Sequence, residues 1–282
     1  MKSILVPTDF SECAEYASKM AIQLARKSGA ILHFIHLIEV PVDWLYSGTD
    51  LDKRYPDISN KVKKAKNALD GLVREAERQD VVVKTNIEYN QDYSIIITYT
   101  EQHAIDLIVM GSHGTSGIKE LFIGSHTQKI VRLSQVPVLV IKHSINKLEI
   151  KQIVFAYDFE SEAQSYFQKV IDFASLLGAK IHLLFVNTPL NFKESQSINQ
   201  ILAEYARLAP QVVSSTNVYD SFSFEKGLIN FCHEKEGDMI VMLTHGRKGM
   251  FRLLNSSVTE RVIDHVNVPV MSLNIHHKDT KH

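Results

Sequence analysis

The feature that most constrains this sequence is that it is written twice. The opening SILVPTDFSE returns as QIVFAYDFES, which sets Asp9 against Asp158. SGAILHFIHLIEV returns as LGAKIHLLFVNTP, which sets His33 against His182 and Leu37 against Val186 at the same offset of 149 residues. AIDLIVMGSHG and SQVPVLVIK return as EGDMIVMLTHG and VNVPVMSLN, now at an offset of 132, so the second copy is shorter in its middle. Four segments repeated in one order imply duplication. The polar stretch HSINKLEIK, residues 143–151, separates the copies and gives expected domains at 1–145 and 150–276. A length of 282 residues suits two ordinary domains.

Each copy reads as five strands alternating with four helices. In the first copy SILVP, ILHFIHLI, VVVKTNIEY, DLIVM and VPVLVIK are apolar, strand-like runs. Between them, apolar positions at helical spacing predict helices over 11–28, 58–79, 92–103 and 124–134, the first capped by Ser11. Strands alternating with helices make a parallel sheet covered on both faces. The expected fold is therefore α/β, with two doubly wound, Rossmann-like, five-stranded parallel sheets whose ligands sit at the carboxyl ends of the strands. Pro137 and Pro269 in the last strands point to sheet edges. Apolar edges need cover, so the two copies are expected to pack through them as an intramolecular pseudo-twofold pair.

Composition narrows the function classes. The net charge is -1, which supplies no global field for nucleic acid or an anionic membrane. No apolar run reaches membrane-spanning length, and the first apolar run is broken by Pro7 and Asp9. The two cysteines, Cys13 and Cys232, lie in different halves and form no redox or metal motif. A cytoplasmic location is the simplest expectation.

The chemistry concentrates in VMGSHGTSGIKELFIGSHTQKIV, after the fourth strand. Gly111, two residues, Gly114, nine residues, then Gly124 and Ser125 make a loop whose backbone N–H groups can approach an anion with no Cβ in the way. Gly124-Ser125 opens a helix, whose N-terminus adds partial positive charge. Ser125 and Thr127 bring hydroxyl donors, and Lys119 is either a phosphate contact or a solvated lysine. This spacing, with ILVPTDFS before it and VPVLVIK after it, resembles the universal stress protein family over nearly the whole chain, as two copies. The resemblance implies an adenine-nucleotide alpha-hydrolase-like fold and an ATP site, with Mg²⁺ accompanying the nucleotide. In that reading Asp9 contacts the ribose or adenine side, and Pro7 and Thr8 shape its turn. Leu37 offers its backbone to adenine, and Met110 and Gly111 line the ribose and phosphate path. Gly114, Gly124, Ser125, His126 and Thr127 hold the phosphates, with the role of His126 left open because the family often has an apolar residue there.

The second copy departs from the pattern. Leu243 stands where Gly111 does and Ser256 where Gly124 does, while Ala156 and Tyr157 replace Pro7 and Thr8. Gly246, Ser257 and Asp158 remain, as do the basic Arg247 and Lys248. A leucine at the start of the loop and a Cβ at the helix entry crowd a phosphate, so this copy is expected to bind ATP weakly or not at all.

Several residues carry plainer readings. Asp9 is also a natural turn or cap residue, and Gly111 and Gly114 natural turn glycines. His33 and His36 are three apart on a strand and face opposite sides, so they share no metal. The lysines of KVKKAKNALDGLVREAER read as the solvated face of a helix whose inner stripe is Val62, Ala65, Leu69 and Leu72. Residues 39–59 make a long connection, with Trp44, Tyr46 and Tyr55 as candidates for a lid or partner surface. Three functions compete. The first is a nucleotide-binding regulator with an unknown protein partner. The second is a slow ATPase, although no Walker A, HxGH-like or SGGxDS-like motif is present. The third is a binding module for another ligand. Further homodimerisation of the pseudo-dimer stays open.

Overall fold

The computed structural model describes residues 1–41, 44, 55–89, 92–113, 123–144, 148–159, 164–245 and 255–275. The described residues fall into two compact units that divide between 144 and 148, with Ile123 grouped with the second.

The first unit runs β1 (Ser3–Pro7), α1 (Glu12–Ser28), β2 (Ile31–Ile38), α2 (Pro56–Glu77), β3 (Val83–Tyr89), α3 (Ser94–Gln102), β4 (Leu107–Gly111), α4 (Ser125–Leu133) and β5 (Val138–Ile141). Its strands lie in the order β3-β2-β1-β4-β5, every neighbouring pair parallel. The second unit runs β6 (Gln152–Ala156), α5 (Gln164–Leu177), β7 (Lys180–Asn187), α6 (Ser195–Leu208), β8 (Val213–Asp220), α7 (Phe224–Glu234), β9 (Met239–His245), α8 (Asn255–His265) and β10 (Val270–Ile275). Its order, β8-β7-β6-β9-β10, repeats that of the first and is again parallel throughout. Each unit is thus a doubly wound α/β sheet. In the first, the chain steps outward from β1 to β3 and then returns to the other side of β1 as β4. The carboxyl ends of β1 and β4 therefore flank the switch point, where such sheets open a crevice.

The central strands are apolar without alternation because both faces are covered. Ile4, Leu5 and Val6 of β1 and Ile108 and Val109 of β4 have no exposed surface. Helix α1 has signals at both ends. Ser11 accepts a hydrogen bond from the Ala14 N–H, Glu12 and Glu15 occupy the first turn, and Arg26 and Lys27 the last. Gly29 ends it with φ 70°, and its repeat mate Gly178 has φ 73°. A second repeated device lies at the same amino end of the strands. The Asp106 carboxylate accepts the N–H groups of Lys2 and Ser3, and that of Asp238 accepts those of Lys151 and Gln152.

Two expectations shift in detail. Helix α2 begins at Pro56 rather than 58, because proline lacks the N–H that the first helical turn leaves unpaired anyway. Pro137 stands just before β5 rather than within it, and its carbonyl accepts the Ile108 N–H at 2.9 Å. Pro269 does the same for Ile240 at 3.0 Å. Both prolines supply only the acceptor that their position requires.

Candidate functional site

The turn after β1 builds one wall of the site. The Thr8 N–H donates to the Ile35 carbonyl at 2.9 Å, and the Thr8 hydroxyl oxygen accepts the Phe10 N–H at 3.1 Å. The Asp9 carboxylate accepts the Ser11 N–H at 3.0 Å. These bonds hold Phe10 at φ 62°, a left-handed conformation unusual for a bulky residue, and Phe159 repeats it at φ 54°. The Phe10 ring lies 4.6 Å from that of His36, whose Nδ1–H donates to the Thr8 carbonyl at 2.7 Å. The backbone of Ile35 faces β1, so by the two-residue period of a strand that of Leu37 faces the space past the end of β1.

The end of β4 builds the opposite wall, and here the glycines have a reason the sequence did not reveal. A Cβ on Gly111 would stand 2.8 Å from the Cys13 carbonyl carbon and 3.0 Å from the Ala14 nitrogen. Gly111 is therefore required by the close approach of α1, independently of any anion. Gly124 is placed by its N–H bond to the Ser112 carbonyl, 2.8 Å, and a Cβ there would meet His113 Cα at 3.3 Å. Thr127 is buried, and its hydroxyl donates to the Gly111 carbonyl at 3.0 Å. The hydrogen assigned above to a phosphate thus ties α4 to β4 instead. Beneath, the Ser112 hydroxyl lies 3.0 Å from His113 Nδ1, and Cys13 Sγ lies 3.4 Å from His113 Nε2. Burial pushes the Cys13 thiol pKa up, against the lowering effect of Ser112 and His113.

Between these walls lies a cleft of about 590 Å³, within the range of small-molecule sites. Pro7, Thr8, Asp9, Leu37, Met110, Gly111, Gly124, Ser125, His126 and Thr127 all line it. Gly114 and Lys119, and with them most of the glycine loop, lie outside the described residues, as does Tyr46. Of the aromatic residues of the long connection, Trp44 packs on Tyr89, ring centroids 4.6 Å apart, and with Tyr55 lies against a small core of Ile38, Val40, Ile58 and Ala65.

The cleft also contains residues that sequence reasoning missed. Lys61, Lys64, Ala65 and Ala68 of α2 form one stripe along it, so the two lysines border the cleft as well as solvent. Their helical spacing was a usable signal, but it was absorbed into the solvated face. Tyr93, just before α3, stacks on His126 with ring centroids 3.5 Å apart and 19° between planes. Burial raises the Tyr93 pKa, and the negative charges of Asp9 and Glu39 raise it further. No motif marked Tyr93, since the pairing brings together residues far apart in the chain. His33, by contrast, turns away from the cleft, is buried, and bonds through Nδ1 to the Tyr99 hydroxyl at 3.0 Å.

In the second unit the corresponding residues are engaged with their own surroundings. Asp158 accepts from the Asn191 side-chain amide at 3.0 Å, and its carbonyl accepts from the Lys193 ammonium at 3.2 Å. Phe159, the repeat of the exposed Phe10, is buried at 3% exposure with its ring 5.1 Å from that of Tyr205. Tyr205 in turn packs on Phe167, and Phe167 on Phe155. Aromatic side chains thus pack under the turn that in the first unit lines a cleft. Leu243 is buried within its strand, which runs two residues further to His245, while Gly246, Arg247 and Lys248 lie outside the described residues.

Comparison with known proteins agrees with this duplicated architecture. The model of the universal stress protein family matches residues 1–142 and again 149–273. The universal stress protein MJ0577 of Methanocaldococcus jannaschii is 33% identical over 153 residues, covering 50% of this chain and 94% of the relative. YxiE of Bacillus subtilis, also a universal stress protein, is 29% identical over 144 residues, covering 49% and 97%. The crystal structure of a universal stress protein from Archaeoglobus fulgidus superposes with a TM-score of 0.76 at 20% identity, covering 96% of this chain and 98% of its own. That likeness shows the shared fold across both halves. Among the described residues, no helix is long and apolar enough to cross a membrane.

Proposed function

The chain belongs to the universal stress protein family, and from that premise we propose that it is an ATP-binding regulatory protein of the stress response, with the nucleotide held by the first unit. The observation that carries this reading is the convergence of ten residues from four separate stretches of sequence on one cleft at the switch point of the sheet. In the proposed pose adenine lies against the backbone of Leu37 and the Asp9 turn. The ribose crosses Met110 and Gly111, and the phosphates lie toward Gly124 and Ser125 at the N-terminus of α4, where partial positive charge favours anions. Mg²⁺ suits this arrangement because it binds chiefly through phosphate oxygens and water, with few protein ligands. The second unit, with Asp158 bonded inward and Phe159 buried, serves as a scaffold.

Blocking the cleft without disturbing the core tests the proposal. Ala68 is half-buried on the cleft-facing stripe of α2, and Ala68→Trp places an indole in the ligand's space. In calorimetric titrations with Mg-ATP the variant is expected to lose at least about tenfold in affinity, roughly 1.4 kcal/mol, with its melting temperature retained. Wild-type affinity in Ala68→Trp would put the nucleotide elsewhere.

A further inference from the structure

The stack joins His126, a residue of the nucleotide motif, to Tyr93, which the motif does not contain. The two residues come from different elements, Tyr93 from the entry to α3 and His126 from the first turn of α4, and both line the cleft. A second contact braces the same joint. Asp92, beside Tyr93, is ion-paired with Lys129, one turn further along α4, and also accepts the Ser94 N–H and hydroxyl. The Tyr93 ring is half-buried, lines the same cleft as Asp9, and meets His126 in the first turn of α4. His126 is exposed, and an exposed first-turn side chain ordinarily samples several rotamers. Here the imidazole is stacked on the Tyr93 ring, centroids 3.5 Å apart, and His126 lines the cleft next to Ser125. An imidazole edge at that place is a hydrogen-bond donor, and a charged one when protonated, facing the end of the cleft suited to anions.

We propose that His126 contacts the anionic end of the ligand through its ring edge, and that Tyr93 is the residue that positions it. This rests on the nucleotide reading above and deepens it. His126 makes the site sensitive to the phosphates rather than to the base, and Tyr93 acts only through His126. Among the described residues Lys61 and Lys64 of α2 and the imidazoles of His36 and His113 also line the cleft; none of them belongs to the Tyr93–His126 stack, so their contribution is separable.

The test measures affinity for Mg-ATP directly, and for adenosine by displacement of ATP, in the wild type and in His126→Phe, Tyr93→Phe, Tyr93→Leu and the His126→Phe/Tyr93→Leu double variant. His126→Phe keeps a ring on Tyr93 but removes both nitrogens. It is expected to weaken ATP about tenfold, the effect of one lost charge-assisted hydrogen bond, and to leave adenosine within about twofold. Tyr93→Phe keeps the stack and retains wild-type affinity. Tyr93→Leu reproduces the loss seen in His126→Phe, and the double variant is no worse than either single, because both changes remove one contact. Equal losses for ATP and adenosine, unchanged ATP affinity in His126→Phe, or additive losses in the double variant would overturn the proposal while leaving the nucleotide site standing. A wild-type chain that binds neither ATP nor adenosine would overturn both.

Discussion

Gly111 gives the sharpest test of the site's construction, because its two explanations differ in stability. If it served only to admit an anion, a methyl group there would affect ligand binding and leave the fold alone. The geometry says otherwise. The added Cβ would lie 2.8 Å from the Cys13 carbonyl carbon, 2.9 Å from Cys13 Cβ and 3.0 Å from the Ala14 nitrogen. Ordinary carbon contacts are about 3.5–4.0 Å, so the start of α1 would have to retreat by roughly 0.5–1 Å. That helix is locked by Ala17, Met20, Ala21 and Leu24, all fully buried, and overpacking of this kind costs about 1–3 kcal/mol. We expect Gly111→Ala to destabilise the first unit by about 2 kcal/mol. Gly71, within α2, is the control. Nothing lies within 4 Å of a Cβ there, so Gly71→Ala should stabilise by about 0.5–1 kcal/mol. The assay is urea unfolding followed by the fluorescence of Trp44, the single tryptophan, which belongs to the first unit and packs on Tyr89. A Gly111→Ala chain within about 0.5 kcal/mol of wild type would refute the argument from α1.

Three further outcomes follow from the same geometry. The His33 pKa is lowered to about 4 by burial, with Lys84 and His103 adding to the effect. The unfolded chain takes up a proton that the folded chain refuses, so this contribution is complete above roughly pH 6.5 and is lost as pH falls toward about 4, at most about 3 kcal/mol. Urea midpoints at pH 7 and pH 4.5 should converge in His33→Gln relative to wild type. Phe10→Ala and Phe159→Ala alter the same position of the two copies with unequal effect: about 1 kcal/mol or less for the exposed Phe10 and about 3–4 kcal/mol for the buried Phe159, measured by calorimetric melting. Ser11→Ala removes the acceptor of the Ala14 N–H and should cost about 1 kcal/mol by urea unfolding, with Ser11→Gly costing less.

The fold was legible because each copy carries apolar runs too short for helices, separated by helical periodicity and, in the first copy, opened by the Ser11 cap. Much of the site was legible because Asp9, Leu37, Gly111, Gly124 and Ser125 sit at strand ends or at a helix start, and the topology of a doubly wound sheet gathers those places. What escaped notice depends on contacts between elements. Tyr93 faces His126 only because α3 and α4 are neighbours. The hydroxyl of Thr127 is turned to Gly111, where a sequence shows only a donor near a phosphate motif. Gly111 looked like a ligand-binding glycine, but the backbone of Cys13 and Ala14 requires it. In the second copy Leu243 signalled the loss of the motif, whereas the burial of Phe159 against Tyr205 needed the packed structure to be seen.

Equilibrium dialysis of the nucleotide-stripped chain against labelled Mg-ATP measures the central claim most directly, with Gly114→Val and Gly246→Val dialysed alongside. One nucleotide is expected per wild-type chain, none in Gly114→Val and one in Gly246→Val. No bound nucleotide in the wild type, or two per chain with one surviving in each variant, would contradict the claim.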